Sequence, residues 1–172
     1  MQRMRSYGFT LLEVLVVLAI IGLLAALSVG SWSAMTRNLE FSGYTRNVAT
    51  SLQQATSQAN TRNRLHLFVF DNIGFRWGQA PDTLSLSTCT TQTTAPTLGS
   101  DAVSFDRPVS VTGPSGWLCL APTGVVSRLN TLGTCSYGSG TAALTGIPCL
   151  TYNRGSSRRS VLVSVSGQAF VQ

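Results

Sequence analysis

A long apolar stretch near the N-terminus constrains this chain more than any other feature of its sequence. Positions 9–29 hold 21 residues, and the only one that carries a formal charge is Glu13. About 20 consecutive apolar residues are enough for a helix to cross the hydrocarbon core of a bilayer. Arg3 and Arg5 precede the stretch, and basic residues tend to stay on the cytoplasmic side. The sequence therefore predicts one transmembrane helix at 9–29, with a cytoplasmic N-terminus and an exported remainder.

Glu13 separates three interpretations of this stretch. A cleaved signal peptide would also have a basic start and an apolar core, and the small residues at 26–28 would suit its cleavage site. However, a carboxylate inside the membrane is costly, and a simple export signal gains nothing from it. Thr10 and Glu13 also fit the capping box of a helix start, which requires the helix to begin near Phe9. Cleavage before Phe9 would create that start.

The hexapeptide GFTLLE at 8–13, followed by a run of Val, Leu, Ile and Ala, resembles the N-terminus of type IV pilins and type II secretion pseudopilins. In that family a prepilin peptidase cuts after the glycine that matches Gly8 and N-methylates the new terminus that matches Phe9. The glutamate that matches Glu13 pairs with the terminal amine of a neighbouring subunit. The resemblance therefore implies a leader peptide at 1–8, processing at Gly8 and Phe9, and assembly through Glu13.

The same resemblance implies where the protein acts and with what. Its precursor would be held in the inner membrane by a single pass, with the head in the periplasm, and would then enter a periplasmic or extracellular fibre. The implied partners are other pilin or pseudopilin subunits, bound through the N-terminal helix, the prepilin peptidase and the inner-membrane assembly platform. No cofactor and no metal are implied.

A helical pattern continues beyond the apolar stretch and then gives way to strands. Apolar residues recur at three- and four-residue spacing, which predicts an amphipathic continuation of the helix at 30–60. These residues are Phe41, Tyr44, Val48, Leu52, Ala55 and Ala59. From there the sequence predicts strands, with a hairpin around the turn at 71–74 and another that closes the chain. The strand-like runs are 65–70, 75–77, 102–105, 109–112, 116–120 and 160–171.

Together these patterns predict an α+β, pilin-like fold. A long N-terminal helix, with a transmembrane half and an amphipathic half, would pack on a β-rich, mainly antiparallel head at 61–172. Two polar stretches, 81–100 and 130–146, are expected to be loops of this head because they are rich in threonine, serine and glycine.

Four cysteines fall in the predicted head, where an exported protein is expected to form disulfides. Their spacing matches no zinc site and no C-x-x-C redox motif. Three pairings are possible, and the sequence does not choose among them. We favour the pairing that would pin both polar loops, Cys89 with Cys119 and Cys135 with Cys149.

The composition contains no arrangement of residues that suggests catalysis. The chain has one histidine, His66, and no glycine-rich phosphate loop, so we expect a structural protein and not an enzyme. The net charge is +6, and all 12 basic residues are arginine. Removal of the leader would leave ten arginines against six acidic residues, a balance too weak to identify a polyanionic partner.

The second half of the chain is similar to the H-type pseudopilins and the FimT-like minor pilins. There a Pro-x-Gly turn, here at 121–124, precedes a valine-rich strand and a Ser-x-x-Gly turn, matched here by 159–167. The FimT-like DNA binders carry arginines just after that glycine, whereas this chain has Gln168, Ala169 and Phe170. This difference argues against DNA binding by the C-terminal segment.

Three other arginines keep a second functional hypothesis open. Arg154, Arg158 and Arg159 lie on the predicted loop before the last strand, where they would either contact phosphates or simply be solvated. The leading hypothesis is a structural minor pilin or pseudopilin, and the sequence does not distinguish a pilus from a secretion pseudopilus. The alternative is a DNA-binding minor pilin at a pilus tip that acts in natural transformation.

Overall fold

The computed structural model describes residues 10–108, 110–128, 132–137 and 144–172, with the side chains at 27–31, 137 and 144–145 excepted. The chain divides into two compact units, Met1–Leu39 and Glu40–Gln172. We call the second one the head unit. Helix α1, Leu11–Arg62, contributes residues to both units.

In the N-terminal unit the apolar side chains of α1 are open to solvent, from Leu11 at 83% exposed to Leu24 at 58%. Among the residues described by the structure, no helix combines the length and the apolar character needed to cross a bilayer. The predicted leader at 1–8 lies outside the described residues, as do position 9 and the side chains at 27–29 of the predicted transmembrane segment.

The second half of α1 forms the centre of the head unit. Its six predicted apolar positions, Phe41 to Ala59, are all at least 95% buried. The helix ends at Arg62, two residues beyond the predicted end. Asn63 then adopts a left-handed conformation (φ 51°), and Arg64 N donates to Ala59 O at 3.2 Å, which is how helices commonly terminate. The predicted packing of the helix on the head is thus confirmed.

Two antiparallel sheets make up the described part of the head. The first has five strands in the order β3-β2-β1-β4-β5, and the second has four in the order β6-β7-β8-β9. The strands of the first sheet are β1 (His66–Phe70), β2 (Gly74–Gln79), β3 (Val103–Asp106), β4 (Gly116–Leu120) and β5 (Val126–Ser127). The strands of the second are β6 (Gly133–Tyr137), β7 (Leu144–Arg154), β8 (Ser157–Val163) and β9 (Ala169–Val171).

The alternation of side chains along these strands divides the head into two cores. Phe68 and Phe70 of β1 face α1, where they share one core with Leu150 and Tyr152 of β7. Leu67 and Val69, which point the other way, form a second core with Trp117, Cys89 and Cys119. This outer core is covered by the segment between β2 and β3, which contains a short helix, α2 (Leu86–Thr91).

The predicted loop at 81–100 is therefore only partly correct. Ser85 begins α2 with a capping box, in which Ser85 Oγ accepts from Thr88 N at 3.2 Å and Thr88 Oγ1 accepts from Ser85 N at 2.9 Å. Threonine here takes the place that glutamate or glutamine usually has in such a box. The serine and threonine content suggested a loop, but the same residues cap a helix that buries Cys89.

Two other predictions in the head were wrong. Positions 130–146 are not simply a loop, because β6 occupies 133–137 and β7 begins at Leu144, where cross-strand pairing outweighs a weak local preference. The predicted strand 109–112 includes Val109, which lies outside the described residues, and Thr112 forms only an isolated bridge to Asn153. The predicted hairpin at the chain end is confirmed, with Val163 paired to Ala169 across a turn that contains Gly167.

The turn that contains Gly167 packs closely against α1. Gly167 has a φ of 77°, and a Cβ atom there would lie 2.7 Å from Thr56 Oγ1 and 2.9 Å from Thr56 Cβ. Gly124 has nearly the same φ, 78°, but nothing within 4 Å of the corresponding position. The two glycines therefore differ in the space around them and not in backbone conformation.

We predict that Gly167→Ala destabilises the protein more than Gly124→Ala does. Both changes incur the cost of a left-handed alanine, about 1–2 kcal/mol, and only Gly167→Ala adds overpacking of about 1–3 kcal/mol. Denaturant unfolding of the full chain would measure both free energies. Equal losses for the two variants would show that the turn does not depend on its close contact with Thr56.

Candidate functional site

Glu13 lies in the first turn of α1. Its backbone N–H donates to Thr10 Oγ1 at 3.3 Å and to Thr10 O at 3.0 Å, so the N-cap half of the predicted capping box is present. A carboxylate in this position also interacts favourably with the positive end of the helix dipole. Gly8 and Phe9, the predicted processing residues, lie outside the described part of the chain.

Glu13 is an exposed residue of α1 with apolar side chains beside it. It lines a shallow hollow with Val14, Val17 and Leu18, which are 49%, 50% and 63% exposed. The ion pairs found among the described residues are all in the head unit, and none includes Glu13. An ionised carboxylate in apolar surroundings is costly without a positive partner. If this surface is covered, Glu13 therefore needs a cation from outside the described residues.

The four cysteines form the two disulfides that we favoured. Cys89–Cys119 joins α2 to β4 with a Cα–Cα distance of 6.3 Å, and Cys135–Cys149 joins β6 to β7 at 5.9 Å. They close segments of 30 and 14 residues. Disulfides across spans of this length typically stabilise a fold by about 3 to 4 kcal/mol each. Both are structural elements of the head.

Arg128 has a structural role that the sequence did not suggest. Its guanidinium carbon lies 3.6 Å from the centroid of the Trp117 ring. Its Nη1 donates to Gln92 O at 2.7 Å and lies 3.3 Å from Thr90 O, so the cation caps the C-terminal end of α2. The sequence spacing does not indicate this contact, because Arg128 and α2 come together only when the first sheet folds.

The structure places the three candidate DNA-binding arginines in a strand hairpin and not in the predicted loop. Arg154 ends β7, and Arg158 and Arg159 belong to β8, which pairs with β7 from Ser157 to Leu162. Asn153 is paired with Arg158 and Tyr152 with Arg159. Because side chains alternate between the faces of a sheet, Arg158 projects from the face opposite to Arg154 and Arg159. The three arginines share one end of the sheet but not one face.

Contacts with α1 show which end of the head unit this hairpin occupies. The Arg159 guanidinium carbon lies 5.8 Å from the Phe41 ring centroid, and the rings of Tyr152 and Tyr44 are 5.3 Å apart. Beyond the end of β8, Ala169 O accepts from Gln53 Nε2 at 2.9 Å. Strand β8 therefore runs along α1 in the same direction as the helix. The β7–β8 turn lies at the end where the chain enters the head unit, which we call the proximal end.

The opposite end, which we call the distal end, contains the C-terminus of α1 and the start of β1. Its charges are paired. Arg62 Nη1 lies 3.3 Å from Asp101 Oδ2, and Arg64 Nη1 lies 2.5 Å from Asp82 Oδ1. These two arginines and two aspartates cancel, so the described residues of the distal end have no net formal charge.

The proximal end, in contrast, carries an excess of positive charge. Six arginines and three acidic residues of the described head unit lie on or next to the parts of α1, β2, β3, β7 and β8 near this end, which leaves a formal charge of +3. Arg128, which packs on Trp117 beside α2, is not counted with either end. Asp71 is paired with Arg76 at 3.1 Å, while Arg107 donates to the neutral side chain of Asn72 at 3.4 Å. The arginines are Arg46, Arg76, Arg107, Arg154, Arg158 and Arg159, and the acidic residues are Glu40, Asp71 and Asp106.

The buried groups beside these arginines do not offset that charge. Burial raises the pKa of Tyr44 to about 12, and burial together with the neighbouring Tyr44 raises the pKa of Tyr152 well above its usual value. Both phenols are therefore neutral at physiological pH. The sequence did not group Arg46 and Arg107 with the candidate arginines, since only the packing of α1 and of the strands brings these distant positions to one end.

Comparison with known proteins gives one match, at the N-terminus. A family model described as the prokaryotic N-terminal methylation motif matches residues 3–29. The match supports the type IV pilin and pseudopilin class, whose subunits are structural, are processed by a prepilin peptidase and assemble with one another. It implies a precursor anchored in the membrane. No curated protein and no solved structure matches the chain significantly.

Asp71 gives the head a testable dependence on pH. Partial burial would raise its pKa, but hydrogen bonds from Ile73 N (2.8 Å) and Gly74 N (3.0 Å) and the Arg76 guanidinium hold it below the ordinary 3.8. We predict that wild-type protein is more stable than Asp71→Asn at neutral pH. Because the folded pKa is depressed, this advantage should persist down to the ordinary pKa and be lost as the pH falls through the folded value.

Denaturant unfolding of both proteins at a series of pH values from about 7 to about 2 would measure this difference. Asp82→Asn is the matched control, since it removes a carboxylate from an exposed ion pair and such pairs contribute little to stability. An advantage of wild type over Asp71→Asn that is as large at pH 2 as at pH 7 would contradict the assignment to the charge of Asp71.

Proposed function

We propose that this protein is a minor pilin or pseudopilin, a structural subunit that enters a type IV pilus or a type II secretion pseudopilus. The observation that carries the proposal is the methylation motif at residues 3–29, which coincides with the start of a 52-residue helix. The resemblance of the second half to H-type pseudopilins and FimT-like minor pilins favours a minor subunit over a main one.

In this proposal the chain has four functional parts. Residues 1–8 are a leader that the prepilin peptidase removes, and 9–29 anchor the precursor in the inner membrane. Residues 30–60 continue the helix into the exported head at 61–172. The two disulfides support export, because disulfides form and persist in oxidising compartments such as the periplasm.

Glu13 supplies the mechanism of assembly. In a bundle of apolar helices its carboxylate would be removed from water, at a cost that only a nearby cation can offset. The methylated amine of Phe9 in a neighbouring subunit is such a cation. Since the pair can form at only one stagger between two helices, Glu13 would set the register of each added subunit.

The arrangement of the arginines gives less support to the DNA-binding alternative. Arg158 lies on the opposite face of the sheet from Arg154 and Arg159, so the three do not form one continuous phosphate-binding surface. They lie at the proximal end of the head unit, whereas a receptor at a fibre tip would be expected to present its binding residues at the distal end.

The first prediction of this proposal concerns processing. Protein isolated from membranes should begin at Phe9 and carry an N-terminal methyl group, because Gly8 presents no side chain to obstruct the peptidase. Intact mass and N-terminal peptide analysis would identify the start. A mature protein that begins near residue 29 or 30 would instead indicate an ordinary signal peptide.

The second prediction concerns Glu13→Gln. The variant should be inserted and cleaved normally but should enter fibres poorly, because the amide keeps the shape of the side chain and loses its charge. Quantification of the subunit in sheared or purified fibres would measure this loss. Glu40→Gln is the matched control, since Glu40 is an exposed carboxylate of the same helix beyond the apolar segment. Equal incorporation of both variants into fibres would show that Glu13 acts only as part of a helix cap.

A further inference from the structure

We propose that the proximal end of the head unit binds the phosphates of anionic phospholipids, with the β7–β8 hairpin as its outermost contact. The proposal rests on the proposed function, because it takes the N-terminal segment to be anchored in a bilayer. Its ligand is the membrane surface itself, recognised by arginine side chains at the end of the head where the anchor is attached.

Contacts with α1 define the position of the β7–β8 hairpin. Tyr152 and Arg159 lie level with Tyr44 and Phe41, the first buried residues of α1 in the head unit. Arg154 and Ser157 lie two residues further along their strands, or roughly 7 Å at the usual rise of a strand. The hairpin tip therefore lies beyond the level of the first buried residues of α1 within the head unit.

The segment that links the predicted anchor to the head unit, which we call the tether, is short. Only 11 residues, 30–40, separate the predicted transmembrane segment from Phe41. Such a segment spans about 17 Å as a helix and at most about 40 Å when fully extended. The length of this segment alone keeps Phe41 within about 40 Å of the end of the predicted anchor, so the proximal end experiences a high effective concentration of headgroups.

Charge is distributed unevenly between the two ends of the head unit. The excess charge of +3 lies at the proximal end, and the arginines of the distal end are paired with Asp101 and Asp82. An anionic membrane attracts basic residues close to its surface, and this attraction falls off within about 8–10 Å at physiological ionic strength. The charge is therefore at the end where a membrane can act on it.

Two arginine side chains of the hairpin are suited to binding phosphate. Arg158 is exposed and Arg154 is half-buried, and neither takes part in an ion pair among the described residues. Guanidinium groups bind phosphate in a bidentate manner. Because the two side chains project from opposite faces of the sheet, they are poorly placed to bind one DNA duplex together. Both can reach headgroups, however, when the tip of the hairpin approaches the membrane surface.

The experiment uses the full chain reconstituted in vesicles. A single free thiol, Ser156→Cys at the hairpin tip, carries a fluorescent donor, since the four native cysteines are paired. Energy transfer to an acceptor lipid is compared between vesicles of phosphatidylcholine alone and vesicles that also contain phosphatidylglycerol. We expect transfer to increase with phosphatidylglycerol and to decrease with added salt. The same donor at Thr123→Cys, on an exposed distal position, should show no such change.

The matched variants each remove two arginines. Arg154→Gln with Arg158→Gln should strongly reduce the response to phosphatidylglycerol, with a shift in the membrane-contact equilibrium of about fivefold for each arginine. Arg62→Gln with Arg64→Gln, which makes the same change in charge at the distal end, should leave the response intact. Loss in both pairs, or in neither, would overturn the proposal.

Four further outcomes are informative. A chain that fails to float with phosphatidylcholine vesicles would contradict the membrane anchor, and hence the proposed function. A chain that floats but shows no dependence on phosphatidylglycerol would overturn only the lipid contact. Displacement of the response by inorganic phosphate at constant ionic strength would indicate a site for free phosphate. Tight binding of duplex DNA that Arg154→Gln with Arg158→Gln abolishes, without a lipid response, would indicate a DNA receptor.

Discussion

The burial of one face of α1 is the interaction on which the head depends. The row from Phe41 to Ala59 is the surface on which the two sheets build a shared core. Among the described residues, the backbone links between the two halves of the head include connecting segments, as in the Thr112–Asn153 bridge and the bond from Val126 N to Val165 O at 2.8 Å. The helix therefore contributes one side of the core that the two sheets share.

The same packing fixes the direction of the second sheet and so the location of its charges. Because Arg159 contacts Phe41 and Ala169 contacts Gln53, strand β8 must run along the helix in its own direction. The hairpin that precedes β8 is then placed at the proximal end. A feature that the sequence presents as a basic loop near the C-terminus is in this way brought beside the part of the helix nearest the N-terminus.

Local signals in the sequence predicted the local parts of the structure well. The apolar spacing up to Ala59 predicted the buried face of α1, and the turn at Asp71 predicted the β1–β2 hairpin, in which Phe70 pairs with Phe75. The motif around Glu13 is equally local, because it involves the chain over only six positions. In each case the determining residues lie within a few turns or pairs of one another.

Features in which pairing or packing outweighs the local preference of the chain were not predictable. Strands β6 and β7 lie in a stretch rich in glycine and threonine, and their pairing is supported by Cys135–Cys149 and by β8. The grouping of Arg46 and Arg107 with Arg154 depends on the packing of a helix and two sheets. No spacing in a single sequence encodes that arrangement, so the proximal charge emerges only with the fold.

The segment between β2 and β3 has a further consequence, for variation of the protein surface. It is fastened at three independent points: the disulfide to Cys119, the cap supplied by Arg128, and the packing of Leu84 and Leu98 on the outer core. The serines and threonines between these points are mostly exposed and contribute little to the core. Substitutions at these exposed positions should therefore change the outer surface of the segment while leaving the fold beneath it intact.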